Sequence, residues 1–428
     1  MRNERIYDIA IVGAGAAGLM AAIAARRALD QSKRTKGGPS IAILEKNEKA
    51  GRKLYATGNG RCNLLNRTAS PRDYRSGEGD AAGFTAPVLT ECGPEAMRQI
   101  FSHLGLDAVE ESEGRLYPRS LQAASVVQTL ERGAFGKAGS GSPAQLLGGF
   151  EVKTVAKESD GNFRLTAADG RAILAERVIL ATGGKAGIQY GCDGRGLKIA
   201  ESLGHTVVRP IPALTGFLCA ETDLLAKLAG VRAHGTVRLW AVPEGGGVQN
   251  GLLLSKDTGE IQFNKDSISG ICVMNVSGSY RHREGMSFVL ELDLMPEYSE
   301  MDLVIKLEER KEALGDLFLE ALLPAKLADA ISELAGPGQT PEAAAHLLKN
   351  LTFTPVASKG WKEAHTTSGG VSLKEVDPKT LQSKLVPGLY FAGEILDVDA
   401  PCGGYSLTWA FASGWTAGHT KDIYVENS

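Results

Sequence analysis

The stretch YDIAIVGAGAAGLMAAIAARRA, residues 7–28, decides the fold. It opens with an apolar, β-branched run at 9–12 that reads as a buried strand. Gly13-x-Gly15-x-x-Gly18 follows, then an alanine-rich segment of high helix propensity. Strand, glycine turn and helix in this order make a dinucleotide-binding fingerprint. Gly13 suits the tight turn, Gly15 lets a pyrophosphate touch backbone, and Gly18 lets helix and strand pack closely. Ala14, Ala16 and Ala17 complete the turn without bulk. The helix N-terminus then offers free N–H groups and a positive dipole end to phosphate.

A second strand, SIAILEKN at 40–47, carries Glu45 and Lys46 at its end. A carboxylate there can accept both ribose hydroxyls; the alternative is a solvated strand-end acid. The gap from the glycines exceeds the usual distance of about 20 residues, because DQSKRTKGGPS at 30–40 reads as an inserted surface loop. The uncharged run at 9–25 is broken by three spaced glycines. No other uncharged apolar run approaches the length of about 18 residues that a membrane span needs. No membrane partner is expected, and the chain reads as cytoplasmic.

A length of 428 residues allows two or three domains. With 43% hydrophobic and 23% charged residues, the composition is that of a soluble globular protein. The net charge of −3 lacks the strongly basic footprint of a nucleic-acid binder, so no nucleic-acid partner is expected. Six cysteines are scattered without a C-x-x-C, which fits a reducing compartment, and seven histidines are dispersed, so no metal site is expected.

Three further stretches choose among dinucleotides. GRKLYATGNGRCNLLN, residues 51–66, holds Arg52, Lys53 and Arg61, which can neutralise pyrophosphate. Its Gly58 and Gly60 read as clearing space beside a flat ring, with Cys62 and Asn63 next in the loop. AERVILATGGKA, residues 175–186, is an apolar strand ending in Ala181-Thr182-Gly183-Gly184. That ending resembles the A-T-G strand end of two-dinucleotide flavoproteins. VPGLYFAGEILDVDAPCGGYSLTWAFASGWTAGHT, residues 386–420, places Gly393-Glu394 after a strand and Gly403-Gly404 before a helix. In flavoproteins of this architecture such a helix N-terminus faces the N1/C2-carbonyl edge of the flavin and stabilises negative charge there.

Together these pieces resemble the BaiN-type (YhiN-like) flavoproteins, the group that includes aminoacetone oxidases. GRKLYATGNGRCN is similar to the family's G-R-K-x-x-x-[ST]-G-x-G-R-C-N loop, and EGRLYPRSLQAASVV at 113–127 to its acidic-G-R-x-[FY]-P segment. Residues 360–405 follow the family's C-terminal signature almost throughout. The resemblance implies an α/β fold with a Rossmann-like FAD-binding domain formed by both chain ends, 1–192 and 352–428. An inserted domain at 193–351 reads as a small β-barrel-like unit, about 193–298, and a helical segment, about 299–351. The helical segment either packs the barrel or forms a lid. Residues 67–92 and 133–149 read as loops.

It also implies non-covalent FAD, a small-molecule substrate and NAD(P)H as a transient donor, since no second glycine fingerprint is present. The implied activity is reduction of a small organic substrate through flavin N5. The alternatives are amine oxidation with O2 and, less favoured, a tRNA-linked flavoprotein. Three departures leave the substrate open: the turn Gly191-Cys192-Asp193-Gly194-Arg195-Gly196, His365 where a glutamine is expected, and Ser406 and Thr408 where asparagine and glutamine are common. His365 and Tyr405 are the candidate catalytic residues, each with a structural alternative. Tyr405 and Asp399 are also candidate cofactor contacts; Asp397 and Asp399 otherwise cap a turn. Cys62 and Cys402 would be reactive if nearby cations lowered their thiol pKa, and otherwise serve as small packing residues.

Overall fold

The computed structural model describes residues 6–31, 40–136 and 143–419. The chain divides into two compact units, Met1–Pro210 with Thr366–Ser428, and Ile211–His365.

The first unit is built on a mostly parallel sheet. Strand β1 (Ile6–Val12) lies between β2 (Ile41–Leu44) and β3 (Ala172–Leu180), parallel to both. Beyond β2 runs Gln145–Leu147, also parallel. The other side of β3 is shared: Phe163–Ala167 pairs antiparallel with its first half, and β4 (Leu389–Phe391) pairs parallel with its second half. Late in sequence, β4 thus completes the sheet begun by β1. The parallel strands are apolar throughout because both faces are covered; Ile9, Ile11, Ile43, Ile179 and Tyr390 are fully buried. Helix α1 (Ala16–Gln31) packs along α2 (Tyr405–His419). Glycines permit that approach: a methyl on Gly414 would lie 2.3 Å from the Ala17 carbonyl oxygen, and one on Gly418 2.2 Å from that of Ala21.

Two segments read as loops are more ordered. Within 67–92, Ala81–Cys92 is a helix whose N-cap Asp80 accepts from the Gly83 N–H. Its Phe84, Val88 and Leu89 are buried, with Phe84 edge-on to Trp409. Glycine, serine, arginine and aspartate drew the loop reading; the apolar face overrides them. Within 133–149, Gln145–Leu147 is a strand, while 137–142 lie outside the described residues. So do residues 32–39 of the insertion read at 30–40.

The second unit carries an antiparallel seven-stranded sheet. Its order is Leu351–Phe353, Met286–Asp293, Arg232–Pro243, Leu252–Phe263, Ser267–Ser269, Phe217–Cys219 and Pro355–Ser358. The two outer strands are separated only by Thr354, so the sheet curls until its edges meet, which is barrel-like. Helices Glu300–Leu314, Ala325–Ala335 and Pro341–Lys349 place Leu307, Ile331 and Leu348 in one core with Phe263, Leu290 and Phe353. Ser299 caps the first of them, accepting from the Asp302 N–H at 3.1 Å. These helices pack the sheet of their own unit. The unit begins later than residue 193 because Arg195–Ser202 and residues 207–210 pack with the first unit.

Candidate cofactor site

The register of the parallel sheet aligns its carboxyl ends, with Val12 opposite Leu44 and Leu180, and Leu180 opposite Phe391. Gly13, Glu45, Ala181 and Ala392 therefore emerge along one edge, where open α/β sheets bind ligands. The three fingerprint glycines have distinct duties. At Gly13 φ is +103°, and a methyl would lie 2.6 Å from the Ala181 carbonyl oxygen. A methyl on Gly18 would lie 1.9 Å from the Gly13 carbonyl oxygen. A methyl on Gly15 would meet no protein atom within 4 Å, so that side of its backbone is open to a ligand. Gly183, with φ +70°, is open in the same way. Ala14 and Ala17 are buried beneath the turn.

Glu45 is drawn back onto this turn. Its Oε2 accepts the Ala14 N–H at 2.9 Å, and its Oε1 accepts the Asn47 N–H at 2.9 Å. Beside it, Lys46 pairs with Asp193 at 2.9 Å. Burial opposes the charge of Asp193, but Lys46 and the Arg195 N–H outweigh it and hold the carboxyl below its usual range. A cavity of about 390 Å³ adjoins this end, lined by Lys46, Asn47, Gly149, Glu151, Ala168 and Asp169.

A second network clasps the Ala181–Gly184 segment. The buried Thr367 Oγ1 accepts the N–H of Lys185 at 2.8 Å and of Ala186 at 3.0 Å. The Thr367 N–H donates to Glu394 Oε1 at 2.7 Å, and Glu394 Oε2 takes the Lys53 ammonium at 2.9 Å. Burial works to lower the Lys53 pKa, but the charge and hydrogen bond of Glu394 outweigh it and raise it. Gly196 lets the divergent turn close on Thr182, since a methyl there would lie 1.9 Å from Thr182 Oγ1. Gly393 is held by α2, its N–H donating to Ser413 Oγ at 2.9 Å.

The third part is the N-terminus of α2. Gly403 (φ +127°) and Gly404 (φ +96°) turn the chain into the helix. Asn66 Nδ2 donates to the Gly403 carbonyl at 2.8 Å, and the Asn66 N–H donates to Thr408 Oγ1 at 3.0 Å. Asn63 Oδ1 lies 2.7 Å from where a methyl on Gly404 would stand. That oxygen is buried and makes no hydrogen bond among the described residues. Gly414 and Gly418 face Ala17 and Ala21 in the same order. At 1.5 Å per residue, α2 therefore starts about 12 Å ahead of α1 along their shared direction. One helix N-terminus thus stands at the fingerprint turn and the other about 12 Å beyond it.

Several expectations change. Gly58 makes room for this chain, its methyl falling 2.7 Å from the Asn63 backbone nitrogen. Gly60 (φ +81°) faces open space. Arg61 pairs with Glu111 at 3.0 Å over the Tyr117 ring, and Arg52 donates to the neutral Asn47 Oδ1. Cys62 is not activated, because burial pushes its thiol up to about 11. Burial raises Cys402 as well, against Arg115. Asp399 pairs with Arg75 at 3.1 Å, and Asp397 accepts Ser76 Oγ and the Gly77 N–H. Both acids brace residues 75–77. Tyr405 opens α2, whereas His365 is an exposed residue of the second unit. Sequence reasoning missed Asn66 and Thr367. HTTSGG drew attention to its histidine, whereas Thr367 lies in the buried strand Thr366–Val371 that follows it.

Residues 7–420 match the family described as HI0933-like protein Rossmann domain. The chain belongs to this family. It is 35% identical to the 3-dehydro-bile acid delta(4,6)-reductase of Clostridium scindens, covering 96% of this chain and 98% of that protein. It is 28% identical to the ribosomal RNA dihydrouridine synthase of Escherichia coli over 99% of each chain. It is 29% identical to the protein of that name from Haemophilus influenzae, over 95% of this chain and 96% of that one. This HI0933-like protein is an enzyme of the flavin-dependent oxidoreductase class. Among the described residues, no helix is long and apolar enough to cross a membrane, and no group of three or more His, Cys, Asp or Glu could hold a metal ion.

Proposed function

We propose that this protein is an FAD-dependent, NAD(P)H-linked reductase that saturates an activated C=C bond of a small organic molecule. The observation that carries the reading is the alignment of the open backbone at Gly15, Glu45 and the N-terminus of α2 along one side of the sheet. When bound, FAD supplies hydride transfer at N5. The turn at Gly13–Gly18 and the first N–H groups of α1 would hold the pyrophosphate. Glu45, drawn back to Ala14, would take ribose hydroxyls on its remaining lone pairs. Thr367, Glu394 and Lys53 hold the Ala181–Gly184 segment, which would border the cofactor. The first N–H groups of α2 would stabilise negative charge on the flavin, and Asn63 Oδ1 would offer an acceptor beside them.

The relative from Clostridium scindens is named for a reduction of this kind. The relatives named for dihydrouridine synthesis favour a second reading, with an RNA uridine as substrate. Dihydrouridine is uridine saturated at C5=C6, a bond also conjugated to a carbonyl. The net charge of −3 weighs against a large nucleic-acid footprint. The test is an anaerobic visible spectrum, followed by NADH, NADPH and then acceptors. A flavin spectrum bleached by one nicotinamide and restored by an enone supports the reading. Restoration only by ribosomal RNA supports the second. Bleaching by aminoacetone and not by nicotinamide would replace both with amine oxidation. No flavin after added FAD would overturn the site.

A further inference from the structure

Saturating a C=C bond adds a hydride at one carbon and a proton at the other. The hydride source leaves the proton unassigned. A donor must hold an exchangeable proton near the ring end of the site and recover it from water.

We propose that Tyr405 is the proton donor of this reaction, that Thr68 relays protons to it from solvent, and that Asn66 is the positioning residue of the relay. The proposal rests on the C=C reduction above. Tyr405 is the first residue of α2, so its ring leaves the helix end that stands about 12 Å ahead of α1. Its hydroxyl lies 3.3 Å from Thr68 Oγ1. The Thr68 hydroxyl donates to Asn66 Oδ1 at 2.7 Å, and the Thr68 N–H donates to the same oxygen at 2.9 Å. The orientation of the Asn66 amide is forced, because its Nδ2 donates to the carbonyls of Gly403 at 2.8 Å and Glu113 at 3.1 Å. With its own proton engaged, Thr68 Oγ1 accepts from the Tyr405 hydroxyl. Asn66 is buried, Thr68 is exposed and Tyr405 is half-buried. The relay therefore runs from a rigid anchor to water.

The neighbouring acids are otherwise committed. The Tyr74 hydroxyl donates to the Tyr405 carbonyl at 3.0 Å, and burial raises its pKa further. The Cys62 thiol is buried and pushed up to about 11. Arg115 is engaged in an ion pair with Glu113. In the step, the hydride and its electron pair add to the β-carbon of a C=C bond conjugated to a carbonyl. The π pair takes the Tyr405 proton at the α-carbon, and the phenolate recovers a proton from water through Thr68. NAD(P)H is the reductant consumed.

Two measurements test this on the FAD-loaded protein. In the first, the nicotinamide-bleached protein is re-oxidised by 2-cyclohexenone, by a 3-keto-4-ene steroid and by air. Tyr405→Phe should keep its flavin content, while its enone rate relative to its air rate falls about 100-fold or more. An unchanged ratio overturns the proposal. If the wild type is restored by neither enone, the small-molecule reading fails and the proposal falls with it. The second needs no substrate: ultraviolet titration of tyrosine, taken as the difference from Tyr405→Phe. A Thr68→Val change should move the Tyr405 titration away from that of the wild type, because the hydrogen bond between the two hydroxyls is lost, and Thr68→Ser should restore it. A Tyr405 titration indifferent to Thr68→Val removes the relay.

Discussion

Thr367→Val is the sharpest test of the network around Ala181–Gly184. The two side chains are nearly the same shape, so the change removes one acceptor and little else. Thr367 Oγ1 is the acceptor for the N–H groups of Lys185 and Ala186, at 2.8 and 3.0 Å. Ala186 is fully buried, so its N–H has no access to water. A buried donor left unsatisfied costs about 1–3 kcal/mol. The Ala186 N–H should meet that cost in full and the partly buried Lys185 N–H only in part. The first unit should lose about 2–4 kcal/mol of stability. Urea unfolding measures it in a background where Trp240 and Trp361 are phenylalanine, so that fluorescence reports Trp409 and Trp415 of the first unit alone. Thr367→Ser, which keeps the oxygen, should lose about 1 kcal/mol or less. A valine variant within about 0.5 kcal/mol of wild type, or a serine variant as weak as valine, would refute the reasoning.

Other predictions follow from the same geometry. Gly15→Ala points its methyl into open space and Gly18→Ala drives one to 1.9 Å from the Gly13 carbonyl oxygen. Both should lose flavin, measured as the ratio of visible to ultraviolet absorbance, but only Gly18→Ala should also lower the melting temperature; full flavin in Gly15→Ala would contradict the open-backbone role. Burial holds His205 below its usual pKa against the pull of Glu375. The unfolded chain therefore takes up a proton that the folded chain refuses, so stability should fall as pH drops below about 6.5. Burial opposes the charge of Glu375, but the Thr206 donors and His205 outweigh it and lower its pKa, which adds a loss of the same sign at lower pH. Equal stability at pH 5 and 7.5 would disprove this assignment. Ellman's reagent should reach Cys192 and Cys402 slowly in the native protein and the buried Cys62, Cys92, Cys219 and Cys272 only in urea; rapid labelling of Cys62 would mean that its loop opens.

The sequence by itself determined what depends on neighbours along the chain. Gly13, Gly15 and Gly18 were legible because a strand, a turn and a helix start lie within one stretch. The late strand before Gly393-Glu394 was legible because the motifs at both chain ends serve one sheet. The tertiary structure alone decided which groups meet. Thr367 reaches Lys185 and Ala186 across 181 or more positions, and Lys53 reaches Glu394 across 341. No local periodicity encodes such pairs, because a polar atom's partner is set by packing. The cations of residues 51–66 read as phosphate ligands from composition, yet the fold sets Lys53 and Arg61 against Glu394 and Glu111. Tyr405 stood out in sequence beside Gly403-Gly404, but its partners Asn66 and Thr68 did not. The three become a directed chain of hydrogen bonds only because Gly403 and Asn66 are brought together, and the buried amide then has one orientation that satisfies both of its ends.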